Sequence, residues 1–186
     1  DKPEYMTGNS FLKDDFNREY VYAARDQWDE IMDKSRAIVT KKWKYIRNYK
    51  PEIPYDAGQA YLEFYRPAVH IMRTAKTKNL LTNAQLHFFK ESKDLEELYD
   101  LENDPHEIKN LASDPSFQNV MNKFRIDMEE YNERYSPMSD EYEPIIAESV
   151  VIFEWVKKNR PEEYKRMQEG YEIGFSKSKD EYYKNN

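Results

Sequence analysis

The stretch Glu97-Leu98-Tyr99-Asp100-Leu101-Glu102-Asn103-Asp104-Pro105-His106-Glu107-Ile108-Lys109-Asn110-Leu111-Ala112 decides the fold. With Glu96 before it, its first part is a strand-forming run, Glu96 to Leu101, that returns to a sheet begun earlier in the chain. Its second part reads as a helix start. Asp104 can accept hydrogen bonds from free amides as an N-cap, Pro105 has no amide to leave unpaired at the first helical position, and Glu107 stands where a capping box needs it. Asp114-Pro115-Ser116 repeats the first two features. After it Phe117, Val120, Met121, Phe124, Met128, Tyr131 and Tyr135 form an apolar stripe at helical spacing, which predicts a long amphipathic helix over 117–135. A helix with one apolar stripe buries it against a sheet, so this part of the chain is expected to be a sheet covered by that helix.

Working towards the amino terminus, residues 1–18 hold no sustained period and read as loop. Tyr20-Val21-Tyr22-Ala23-Ala24 is aromatic and β-branched enough for a strand. Arg36-Ala37-Ile38-Val39-Thr40 and Trp43-Lys44-Tyr45-Ile46-Arg47-Asn48-Tyr49 are two further strands joined as a hairpin. Alternation in the second puts Trp43, Tyr45 and Arg47 on one face, and Lys44, Ile46 and Asn48 on the other. Pro51 and Pro54 end this sheet-like stretch, because each removes a ladder donor. From Gln59 to Lys78 the apolar residues recur at three- and four-residue steps, a helix that Pro67 would kink or split. Asn83 to Phe89 is expected to be a short helix. Beyond the long helix, Pro144 to Lys158 is read as helical, with Val150-Val151-Ile152-Phe153 alternatively a strand, and a last amphipathic helix begins at Pro161. The expected class is α+β: a small antiparallel sheet of about four strands packed by a long helix, plus C-terminal helices. Residues 1–136 form one unit containing a helical insert at 59–89, and 137–186 form a helical extension.

Composition narrows the function. The 186 residues carry 36 acidic and 29 basic side chains, a net charge of −7, which argues against a general nucleic-acid binder. No run approaches the roughly 20 apolar residues of a membrane-spanning helix. The absence of cysteine excludes thiolate catalysis, Cys-based zinc sites and disulfides in this chain. Only four glycines are available for phosphate-cradling loops or nucleophile elbows. Aromatic residues make up 15% of the chain, which favours a packed core over disorder despite the 35% of charged residues.

Catalytic constellations are missing too. His70, His87 and His106 show no metal-ligand spacing, and no G-x-S-x-G is present. His87 is read as packed or surface, and His106 as part of its turn. Asp26, Asp29, Glu30 and Asp33 would share a helical face, either as ligands of a hard cation or as a solvated turn. Lys41, Lys42, Lys44, Arg47 and Lys50 crowd one strand, either as an anion-binding strip or as lysines guarding a sheet edge.

The quoted stretch resembles, nearly completely, the E-L-Y-D-L-x-x-D-P-x-E-x-x-N-L-A signature near the C-terminus of type I sulfatases. Gly8-Asn9-Ser10-Phe11 resembles the G-x-S-L/F segment that opens that family's C-terminal portion. Tyr22 to Asp29, Arg36-Ala37-Ile38 and Trp43 to Tyr49 are similar to the paired strands of its smaller sheet. The resemblance covers residues 8 to 136 and is nearest to the branch of heparan N-sulfatase and bacterial polysaccharide sulfatases.

The resemblance implies a part of an α/β, alkaline-phosphatase-like sulfatase acting on sulfate esters or N-sulfate of a polysaccharide or glycosaminoglycan. Hydrolysis would reside in an N-terminal catalytic domain, where formylglycine made within C/S-x-P-x-R acts beside a calcium ion. Neither motif is found here, so the chain, which opens on Asp1, is expected to be a C-terminal subdomain with no catalytic or metal residue of its own, inactive alone. Its expected partners are that catalytic domain and a sulfated carbohydrate, with no nucleic acid and no membrane. The expected location is exported: periplasmic, extracellular or lysosomal. In sulfatases the smaller sheet borders the substrate pocket, so Arg25, Asp26, Trp28 and Asp29 are expected to contact sugar, with Arg36 as a further candidate. Arg25 would pair with sulfate or uronate, the two aspartates would accept sugar hydroxyls, and Trp28 would stack on a ring face. The same residues also suit internal ion pairs and core packing. Tyr99 is expected to pack between sheet and helix. The alternative function is an independent, non-catalytic carbohydrate- or protein-binding module.

Overall fold

A computed structural model of the chain describes residues 16–28, 31–57, 67–135 and 157–168, with Leu62 and a few isolated positions before residue 13. Four antiparallel strands lie side by side in chain order: β1 Tyr20–Arg25, β2 Ser35–Thr40, β3 Trp43–Asn48 and β4 Glu96–Asp100. The described helices are α1 Pro67–Thr77, α2 Asn83–Leu86, α3 Gln118–Tyr135 and α4 Pro161–Gln168. The α+β architecture and the long covering helix are as expected. The extension after 136 is described only at 157–168, so of the helix expected over 144–158 only residues 157–158, which are helical, are described.

One face of the sheet meets α3. Ile38 lies opposite Tyr45, and Tyr45 opposite Leu98, so three neighbouring strands present one apolar row. Met121, Phe124 and Met128 of α3 cover that row, and Tyr45 stacks on Phe124 at 5.9 Å between ring centroids. Tyr22 on β1 extends the contact, stacked on Tyr131 at 3.7 Å with its hydroxyl donating to the Asp127 carbonyl. Asp114 opens α3 as its sequence implies. Its carboxylate accepts the Ser116 amide, and Pro115 starts the single 3-10 turn, Pro115–Phe117, that runs into the helix.

Where α3 crosses the end of β4, Glu96 gathers the polar groups of this face. It accepts two hydrogen bonds from Arg125, at 2.8 and 2.6 Å, and one from the Tyr45 hydroxyl at 2.7 Å, with Arg47 at 3.3 Å. The Arg125 guanidinium, aided by Tyr45, lowers the Glu96 pKa from its ordinary 4.5 to about 2 against the opposing effect of burial.

Two expectations change. No helix starts at Asp104. Glu107 adopts a φ of 54°, and the chain makes a turn in which the Asp104 carboxylate accepts the Lys109 amide. The reason lies at the outer edge of β4. The Asn110 side chain accepts the Leu98 amide at 2.9 Å and donates to the Glu96 carbonyl at 3.0 Å, while the Leu111 amide donates to the Leu98 carbonyl at 2.8 Å. A helix begun at Asp104 would leave those edge groups unpaired. The second change is that β3 is an inner strand, so its cations guard no edge. Lys44 pairs with Glu107 and Arg47 with Glu96. Pro67, expected to kink or split the helix over 59–78, opens α1, as suits its missing amide, and Leu62 ahead of it is helical too; residues 58–61 and 63–66 lie outside the described set.

Replacing Asn110 by Ala strips partners from two backbone groups of β4 and is expected to lower unfolding free energy by about 1–3 kcal/mol, read by denaturant titration. For Glu96 the folded-state pKa lies below the unfolded value, so its stabilisation is complete above about pH 4.5 and is lost as pH falls towards 2. Glu96→Gln is therefore expected to be less stable than wild type at pH 7 and to converge with it in acid. Equal acid sensitivity of the two proteins would count against this account.

Candidate functional site

The other face of the sheet carries a polar layer. Asn48 on β3 and Glu97 and Tyr99 on β4 are buried there, and all three point away from α3 by strand alternation. Tyr99 therefore does not pack between sheet and long helix. Its hydroxyl donates to Glu97 at 2.7 Å, and Glu97 also accepts from Asn48 at 2.6 Å and from Tyr55 at 2.8 Å. Three donors hold this buried carboxylate, and burial together with its charge keeps the Tyr55 and Tyr99 hydroxyls protonated far above the ordinary tyrosine range.

Next to this layer, at the end of β1, lies the candidate site. Arg25 is the last residue of β1, and its guanidinium donates to Asp33, which stands just ahead of β2. The second oxygen of Asp33 accepts from Lys93. Trp28 and Ile31 exchange backbone hydrogen bonds at 2.8 and 2.9 Å, and Trp28 is 40% exposed. Arg25, Trp28, Ile31, Asp33, Tyr55 and Phe88 line part of a cleft of about 130 Å³. Its chemistry is a cationic fork beside apolar and aromatic walls. The Asp56 carboxylate also faces the cleft and is held by Arg73.

The residues expected to contact sugar divide. Arg25 and Trp28 meet at the cleft. Arg36 is 2% exposed and lies on the α3 face of the sheet; it donates to the Arg25 and Ser35 carbonyls at 3.0 and 2.9 Å and to Asp26 at 2.7 Å. It thus braces the end of β1, with Asp26 as its partner. Asp29 lies outside the described residues. Of the acidic cluster, Asp26 and Asp33 are answered by cations, and among the described residues no three His, Asp or Glu side chains converge as a metal site. His87 lies 5.7 Å from the Tyr55 ring and is half-buried, as a packed residue.

Sequence reasoning missed Lys93, Tyr55 and Glu97. Asp33 and Lys93 are 60 positions apart, and neither carries a local signal of the other. A larger groove of about 560 Å³ runs beside α3, lined by Arg47, Tyr49, Arg125, Asn132 and Glu133 among others, but both of its arginines are held by Glu96. It lies on the opposite face from Arg25.

Residues 55–134 match the family model described as N-sulphoglucosamine sulphohydrolase, C-terminal. Two proteins of Formosa agariphila, each described as an ulvan-active sulfatase, are similar in sequence. One is 38% identical over 134 residues, 70% of this chain and 22% of the relative. The other is 32% identical over 141 residues, 68% of this chain and 24% of the relative. The chain thus spans about a quarter or less of these relatives. A solved structure described as a 2-O GAG sulfatase aligns with 77% of this chain and 24% of its own, at 18% identity and a TM-score of 0.46. The E-L-Y-D-L run on β4 and the N-L-A run closing its edge fall within residues 55–134, which match this sulfatase C-terminal domain, and the chain around them is similar to part of two sulfatases.

Proposed function

We propose that this chain forms a wall of the substrate cleft in a sulfatase that hydrolyses sulfate esters, or N-sulfate, of a sulfated polysaccharide or glycosaminoglycan. Its similarity to two ulvan-active sulfatases carries the reading and makes sulfated ulvan the first substrate to try. The chemistry of the cleft supports it. A guanidinium offers planar, paired donors that suit a sulfate or uronate oxygen pair, and an exposed indole suits the apolar face of a sugar ring. Arg25 is anchored through one nitrogen on Asp33, its Nε is buried without a partner among the described residues, and its side chain as a whole is 39% exposed.

The bond-breaking groups belong, in this proposal, to an N-terminal catalytic domain. There formylglycine supplies the nucleophile and calcium the Lewis acid. The described residues offer no site for either group, and no step of the chemistry passes through them. The subdomain binds and orients the sugar, and alone it is inactive. A polymeric substrate does not cross a membrane, so we place the enzyme outside the cytoplasm, in the periplasm or beyond the cell. Among the described residues no helix is long and apolar enough to cross a membrane.

In the complete enzyme, Arg25→Ala is expected to raise KM for a sulfated ulvan oligosaccharide by about 10-fold or more, since it removes a charge-assisted pair with the substrate. The isolated chain is expected to release no sulfate. An unchanged KM in a normally folded variant would reject the role of the cleft, and sulfate release by the isolated chain would reject the division of labour.

A further inference from the structure

We propose that Lys93 is a positioning residue for this cleft, acting on the bound anion through Asp33 and Arg25; the inference rests on the substrate role proposed for Arg25. The Lys93 side chain is wholly buried, 0% exposed, and Asp33 is 8% exposed. A buried ammonium is tolerated only against a carboxylate, so Asp33 cannot turn away from Lys93 without stranding a charge. That obligation fixes the carboxylate. Its other oxygen then fixes Arg25, whose side chain is 39% exposed and reaches the surface. The three groups form a line from the interior outwards, with each outer member held by the one beneath.

Charge gives Lys93 a second task. Arg25 and Asp33 alone are neutral as a pair, and a neutral pair attracts an anion weakly. With Lys93 the set carries one net positive charge, while the nearby Asp56 is already balanced by Arg73. Part of the Asp33 charge is thereby spent on the buried lysine, and Arg25 keeps potential for a sulfate or uronate. Lys93 is itself held in place. Its amide donates to the Pro51 carbonyl at 2.8 Å, and the Tyr55 ring lies 5.7 Å from its ammonium, with the Tyr55 hydroxyl on Glu97. The end of the insert between β3 and β4 thus aims a residue that belongs to β1.

The test is a double-mutant cycle in the complete enzyme with a sulfated ulvan oligosaccharide as probe. Lys93→Met is expected to raise KM about 5-fold or more with a much smaller change in kcat, and Lys93→Arg, which keeps the charge, to restore most of the loss. In an Arg25→Ala background, Lys93→Met is expected to add less than about 2-fold, because its effect runs through Arg25. Multiplicative effects, or a fall in thermal stability with KM unmoved, would overturn the proposal and leave Lys93 as packing alone. If Lys93→Met does not fold, Lys93→Gln, which keeps a donor for Asp33 without the charge, is read in the same way. A silent Lys93→Met beside a damaging Arg25→Ala defeats this inference only, whereas a silent Arg25→Ala defeats the cleft reading beneath it.

Discussion

The register of β4 against β3 is the constraint on which both faces of the molecule depend. Tyr45 stands opposite Leu98, and Ile46 opposite Glu97. In this register Leu98 enters the apolar row under α3, while Glu97 and Tyr99 enter the polar layer on the other side. A slip by one residue would exchange the faces, driving a carboxylate against Ile38 and Met121 and leaving Asn48 and Tyr55 without their acceptor. Few strands are so strongly specified, because here a wrong pairing is penalised on both sides of the sheet. Asn110 and Leu111 add a lock on the outer edge by bonding to the backbone of Leu98 and Glu96.

The two faces are held by different physics. Under α3 the gain comes from apolar area and from close contact of Phe124 and Met128 with the sheet, which tolerates modest reshaping of the side chains. The opposite layer is a set of buried charges and hydroxyls, in which loss of a single partner leaves a group with no water to replace it. Such a layer contributes geometry more than net free energy. That suits a surface whose task, in the function proposed, is to hold an arginine in one place.

How much could be read from the chain alone follows from the range of each interaction. The strands, the hairpin and α3 were legible because period and breakers act over a few residues, and Asp114 was read correctly because an N-cap is a local bond. Asp104 carries the same signal and gave the wrong element, because distant backbone groups on β4 claimed Asn110 and Leu111. The lysines around β3 were ambiguous for a similar reason: whether a strand is inner or edge depends on what pairs on either side, and β4 arrives nearly 50 residues later. At the candidate site, Arg25 and Trp28 stood out beside a strand end. Lys93 did not, since a lysine among polar neighbours looks solvated until the fold places Asp33 against it. The commitment of Asp26 to Arg36 was equally hidden, being set by the pairing of β1 with β2.

Ionic strength should act unequally on these charges. Pairs such as Lys123–Asp127 and Lys42–Glu102 sit in solvent, where counterions at a Debye length of about 8 Å in physiological salt weaken them. The Lys93–Asp33 contact lies where counterions do not reach. Rising salt would thus loosen the rim of the molecule and damp the long-range pull of Arg25 on a polyanion, while the direction in which that arginine points stays as the interior set it.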